Sequence, residues 1–216
     1  MSTKPRPSVP APTPARNPNL NPAPPRLLAL LSALLCAGLT ACQTPAPQPP
    51  IQVTTTVTPL DTIERRVAEL KLALPTASKP SPTATLTSVV ISGNLAFVSG
   101  HISRAADGQL ITGRVGEELT VAQGKDAARQ CGLAILASLR QELGSLDRVR
   151  RVVKVLGLVN CPPGFKDQPQ VVNGFSELML DVFGRERGLG ARSAVGVGSL
   201  PSNVAVEVEA VFEILP

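Results

Sequence analysis

Two adjoining stretches near the C-terminus decide the fold: Ala191-Arg192-Ser193-Ala194-Val195-Gly196-Val197-Gly198-Ser199-Leu200-Pro201 and Val204-Ala205-Val206-Glu207-Val208-Glu209-Ala210-Val211-Phe212-Glu213. Both alternate with period two. That is the mark of half-buried strands, because successive side chains of an extended chain point to opposite faces. Leu200-Pro201-Ser202-Asn203 supplies turn residues between them, so a hairpin is expected. In the second strand Val204, Val206, Val208, Ala210 and Phe212 share one face. Ala205, Glu207, Glu209, Val211 and Glu213 share the other. Arg192 lies on the face of Ala194, Gly196 and Gly198. Hairpin pairing would bring Arg192 near Glu207 and Glu209, a guanidinium beside carboxylates over a floor of small residues. Such a set can hold an anion and accept a proton. The plainer reading is a surface ion pair across two strands, which contributes little.

Working outward, Thr62 to Leu72 places Ile63, Val67 and Leu70 among Glu64, Arg65, Arg66 and Glu69, a short amphipathic helix. Thr87–Ile91 and Leu95–Gly100 read as strands around the turn Ser92-Gly93-Asn94. Ala106-Asp107-Gly108 marks another turn. Thr120 to Glu142 is a long helix with a broad apolar stripe (Val121, Ala128, Cys131, Leu133, Ile135, Leu136, Leu139), ended by Gly144. Arg150 to Val159 reads as a buried strand. Gln170 to Phe183 is a second helix, with Val171, Val172, Phe175, Leu178, Met179 and Val182 at helical spacing. The order implies an α+β layer architecture.

Several of these segments resemble one family. Arg192-Ser193-Ala194-Val195 through Leu200-Pro201 to Val206-Glu207-Val208-Glu209, and Gly93-Asn94-Leu95-Ala96-Phe97-Val98-Ser99-Gly100-His101-Ile102, are similar to signatures of the RidA/YjgF family. Gly157-Leu158-Val159-Asn160, Pro163 to Pro169 and Val172-Asn173-Gly174 resemble its divergent YjgF/chorismate-mutase-like branch, the endoribonuclease L-PSP group. The resemblance runs from Ile63 to Pro216. It implies a mixed β-sheet with two main helices on one face, and a homotrimer with pockets between subunits. It further implies hydrolytic deamination of enamine or imine acids such as 2-aminoacrylate, without a cofactor. On this resemblance Arg192 binds the substrate carboxylate and Glu207 orients water and moves a proton. Ser99, Gly100 and Asn173 complete the substrate site. Two positions depart from the family pattern: Leu86 stands where the family has an aromatic, and Ala194 where it often has a cysteine.

The first 26 residues hold Lys4, Arg6, Arg16 and Arg26 and no acid. Leu27 to Gly38 is apolar apart from Ser32, followed by Leu39-Thr40-Ala41-Cys42. A basic leader, a short apolar core and small residues before a cut describe a secretory signal. A membrane-spanning helix needs about 20 apolar residues, more than this run offers. Leu39 to Cys42 resembles a bacterial lipobox, with Cys42 the lipidated residue; a plain cleaved signal is the alternative. The expected organisation is a signal over 1–42, a Pro/Thr-rich tether over 43–59 and one domain over 60–216. Gln43 after the cysteine points to the outer membrane, with the domain facing the periplasm.

Cleavage changes the charge argument. The whole chain is +5, but with the four basic residues of the leader removed, 17 Lys and Arg face 16 Asp and Glu. The mature part has no basic footprint for nucleic acid, and the chain has no Trp or Tyr to stack bases. Arg148-Val149-Arg150-Arg151 reads as a solvated helix-to-strand boundary. With one His, His101, no metal-ligand cluster and no Ser-His-Asp set is expected; His101 reads as a surface or pocket-rim residue. Cys131 sits on an apolar stripe and Cys161 in a loop, and an oxidising compartment leaves a bridge between them open. Three functions remain: a deaminase-like hydrolase acting on a small carboxylate, a non-catalytic binding module, and an endoribonuclease.

Overall fold

A short β-hairpin opens the sheet. Strands β1 (Val89–Ser92) and β2 (Leu95–Ile102) pair antiparallel, with Ser92 opposite Leu95. The two-residue loop has Gly93 first, at φ +60°, the left-handed backbone that a tight type II′ turn requires there. The computed structural model describes residues 62–77, 83 and 85–216. The expected signal over 1–42, with Cys42, and the expected tether over 43–59 lie outside them.

Two helices cover one face of the sheet. Helix α2 (Val121–Leu143) begins with a capping box, in which Thr120 and Gln123 each satisfy the other's backbone N–H, and ends at Gly144 with φ +78°. Helix α3 (Gln168–Gly188) runs five residues beyond the Phe183 end expected from periodicity, through an extended kink at Gly184. The helices pack closely because glycines sit at the crossing. A Cβ on Gly174 would lie 1.8 Å from the Lys125 carbonyl oxygen, and one on Gly132 would lie 2.8 Å from Leu178. Helix α1 (Ile63–Glu69) is anchored by Glu64, whose carboxylate takes two bonds from Arg140 and one from the Leu146 amide.

The sheet runs β1-β2-β5-β3-β4, with β3 spanning Val149–Asn160, β4 Ala191–Val197 and β5 Val206–Ile214. Strand β4 is parallel to β3, and β5 is antiparallel to both β2 and β3. The expected β4–β5 hairpin is therefore corrected: β3 lies between the two strands. The reason lies in β3. Val152, Val155 and Val159 are fully or nearly buried under the helices, while Leu156 and Leu158 on its other face are half-buried. A strand apolar on both faces belongs in the interior of a sheet, with a neighbour on each side. The link from β4 to β5 passes through Ser202 and Asn203, both at left-handed φ.

The alternation within each strand holds. Val206, Val208, Ala210, Phe212 and Ile214 are buried against the helices, with Phe212, Phe175, Leu136 and Met179 among the largest core side chains. Among the described residues no helix lies on the opposite face of the sheet. Val90, Phe97 and Val195 are exposed there, beside Glu207, Glu209 and Glu213.

Candidate functional site

Edge strand β4 places Arg192 opposite Val155 of β3, on the helix-covered face. Ala194 and Gly196 follow on the same side, small enough to let α3 come close. Gly157 of β3 helps: a Cβ there would lie 2.5 Å from Val172. Across this narrow gap Arg192 meets α3. Its Nη1 donates to Asn173 Oδ1 at 2.8 Å and to Ser176 Oγ at 2.9 Å, and its Nη2 donates to the Pro169 carbonyl at 3.3 Å. All three acceptors are neutral. Glu177, which lines the same cleft, is paired instead with Lys125. Among the described residues no acid pairs with the guanidinium, and both Nη1 protons are taken by α3. Its Nε and one Nη2 proton are the donors left for a carboxylate. The adjoining cleft, about 330 Å³, is lined by Val155, Asn173, Ser176, Leu189 and Arg192 among others.

The structure brings Arg192 and Asn173 together. It also adds Ser176, which the sequence reading missed. The signal was available: Asn173 and Ser176 are three apart on a helix and so share a face.

Ser99, Gly100 and Glu207 meet elsewhere. Strand β2 pairs with β5 through Val98 opposite Ala210, then resumes with His101 opposite Val208. Ser99 and Gly100 together face the single residue Glu209, which is a β-bulge. Ser99 is held on the β1 side: its N–H donates to the Ser88 carbonyl at 2.9 Å and its hydroxyl to the Thr87 carbonyl at 2.6 Å. Gly100 lies under the Glu207 carboxyl, and a Cβ there would fall 1.9 Å from Oε1. Glu207 is half-buried. Burial, and then the neighbouring Glu209 charge, push its carboxyl above the ordinary range.

His101 is corrected from a surface or rim residue. It is half-buried on the helix side, where its Nδ1 meets the Ser99 carbonyl at 2.7 Å and its Nε2 the Ser138 hydroxyl of α2 at 2.8 Å. Burial lowers its pKa, against a raising effect of the Ser99 bond. Leu86 is exposed. Cys131 and Cys161 are both free thiols, and burial pushes Cys131 far up. Among the described residues no group of three metal-ligating side chains occurs, and no helix is long and apolar enough to cross a membrane. In the basic patch, Arg148 Nη2 donates to the Leu215 carbonyl and Arg150 pairs with Glu213, so both brace the C-terminal strand.

Within one chain the two groups stay apart. Arg192 is on the helix-covered face, in register with Val155 and Ala210; Glu207 is on the uncovered face, in register with Leu158 and Ile102. The expected approach of Arg192 to the Glu207 and Glu209 face is thereby corrected as well. Inserting β3 between the strands leaves the two residues on opposite sides of the sheet.

A five-stranded mixed sheet with two helices on one face and an arginine clamped between the edge strand and α3 defines the α+β class of chorismate-mutase-like folds. The chain belongs to the family described as "YjgF/chorismate_mutase-like, putative endoribonuclease", whose model matches residues 64–213. It is 43% identical over 152 residues to Protein TCP17 of Trypanosoma cruzi, covering 70% of this chain and 94% of that one. It is 41% identical to Atu1372 of Agrobacterium tumefaciens, a protein described as of unknown function. That structure aligns over 72% of this chain and 95% of the other with a TM-score of 0.65. A structure from Shewanella oneidensis, described as a "putative endoribonuclease", is 27% identical over 71% of this chain and 100% of its own, with a TM-score of 0.66.

Proposed function

We propose that the domain takes a small carboxylate compound on Arg192 and hydrolyses an imine or enamine acid, with Glu207 handling the water. The observation that carries this reading is the Arg192 guanidinium. It is fixed by Asn173, Ser176 and the Pro169 carbonyl, yet no acid among the described residues pairs with it. A positive charge held by neutral acceptors is complementary to a ligand anion. Glu207, with its carboxyl raised by burial and by the Glu209 charge, is a carboxylate that can take a proton from water. An enamine acid reaches the iminium by taking a proton from solvent at its terminal carbon. Water then adds to the iminium carbon and Glu207 takes one of its protons, which passes to the nitrogen of the adduct. As the C–N bond breaks, the remaining hydroxyl proton goes to Glu207 and on to the departing ammonia, so that a keto acid and ammonium remain. No cofactor is required.

One small ligand cannot touch both residues of one chain, because the sheet lies between them. The reading therefore joins the Arg192 half of one copy to the Ser99–Gly100–Glu207 half of another. Val90, Phe97 and Val195 make the uncovered face apolar enough to receive that copy, and a homotrimer satisfies both requirements. A binding module without turnover is the second reading; the exposed Leu86, where the family has an aromatic, favours it. An endoribonuclease ranks third, since near-neutral charge and the lack of Trp and Tyr offer little to RNA. Cys42 is the proposed lipid site, holding the domain at the outer membrane through the tether, in the periplasm.

The test uses residues 43–216 and follows ammonia and keto-acid release from enzymatically generated 2-aminoacrylate and related imines. Wild type should accelerate release. Arg192→Ala should lose both turnover and carboxylate binding, while Glu207→Ala should lose turnover alone. Binding without acceleration leaves the module reading, and unchanged carboxylate affinity in Arg192→Ala removes both. In cells, Cys42→Ser should move the full chain out of the membrane fraction; retention there would discard the anchor.

A further inference from the structure

His101 does not touch the cleft of Arg192, and it points away from Glu207, toward the helices. Its bonds nonetheless reach the Glu207 site. The Ser99 carbonyl can only accept, so Nδ1 carries the proton, and Nε2 of the neutral ring then accepts from the Ser138 hydroxyl. Ser138 is 5% exposed and sits on α2, a helix capped at both ends. The imidazole therefore ties the first residue of the β2 bulge to a rigid helix. From the other side, Ser99 is tied to Ser88 and Thr87. With Ser99 fixed in this way, Gly100 has little freedom, and the Glu207 carboxyl lies directly against it.

We propose that His101 is a positioning residue: through the Ser99 carbonyl it locks the Ser99–Gly100 bulge and thereby sets where the Glu207 carboxyl lies. It takes no part in proton transfer. This inference rests on the reading of Glu207 as the water-handling group, but its central claim is about geometry and can be tested without turnover.

If the lock is real, releasing it lets the bulge relax and water reach Glu207, so the carboxyl moves back toward the ordinary range. The experiment is a 13C NMR titration of Glu207 in the full chain in detergent micelles, assigned with Glu207→Gln. It is run for wild type, His101→Ala, His101→Asn and Ser138→Ala. His101→Ala should lower the Glu207 pKa. His101→Asn, whose amide can still donate to the Ser99 carbonyl, should restore the wild-type value. Where wild type turns over substrate, His101→Ala should slow it about tenfold or more, with rescue by His101→Asn. A Glu207 titration unmoved by His101→Ala overturns the proposal. Should that variant not fold, Ser138→Ala decides: a partial shift in the same direction supports the lock, and no shift overturns it. Lack of turnover in wild type counts against the function reading alone, because the titration still reports on the lock.

Discussion

At the residue scale, Glu207 gives the clearest test. Its carboxyl is held above the ordinary range by burial and by Glu209, so the folded state binds a proton more tightly than the unfolded chain. Stability is then full below the unfolded value, near pH 4.3, and declines as pH rises through the folded pKa. Glu207→Gln removes the charge. Urea midpoints of variant and wild type should agree near pH 4 and diverge in favour of the variant by pH 8; a gap constant across that range would contradict the assignment. The same scale shows what sequence could and could not reveal. Arg192 and Glu207 stand out by pattern and Asn173 by the family resemblance, and the structure gives Arg192 and Asn173 a shared site. His101 turns to the helix side for a definite reason. Strict alternation from Ala96 and Val98 puts His101 on the uncovered face, but the extra residue at Ser99–Gly100 shifts the phase and turns it toward α2. A bulge of this kind changes no residue type, so periodicity cannot detect it.

At the element scale, the boundaries are written locally. Thr120, Gly144 and the Gly93 turn each mark a boundary that the structure keeps. The error was one of pairing. Alternation tells which residues of a strand share a face, but not which strand lies beside it. The clue was Leu156 and Leu158 on the far side of β3, apolar where a peripheral strand would be polar. The α2–α3 contact supplies the matching prediction. In Gly174→Ala the new methyl would meet backbone rather than a movable side-chain tip, 1.8 Å from the Lys125 carbonyl oxygen. The helices must separate, and urea denaturation should show a loss of about 3 kcal/mol, the upper end of usual overpacking costs. Gly100→Ala is a useful contrast, because there the methyl meets only the end of the flexible Glu207 side chain. A Gly174→Ala midpoint equal to wild type would mean that the crossing is looser than described.

At the scale of the whole molecule, the two faces of one sheet separate the proposed halves of the site, and this yields an experiment that a self-contained pocket would fail. Arg192→Ala and Glu207→Ala, each inactive alone, should recover part of the wild-type rate when unfolded together and refolded as a mixture. Mixed assemblies would contain junctions where an intact Arg192 half meets an intact Glu207 half. Light scattering should give three times the chain mass for wild type. No recovery in assemblies proven to be mixed would place the reacting groups within one subunit. The overall α+β class was legible from element order alone; the placement of the halves was not, because it depends on which strand sits in the middle. On the proposed reading, the back-to-back placement also makes the lone subunit catalytically silent. Specific activity then becomes a gauge of association, falling on dilution, and chains confined to a surface would stay switched on at copy numbers where free ones fall quiet.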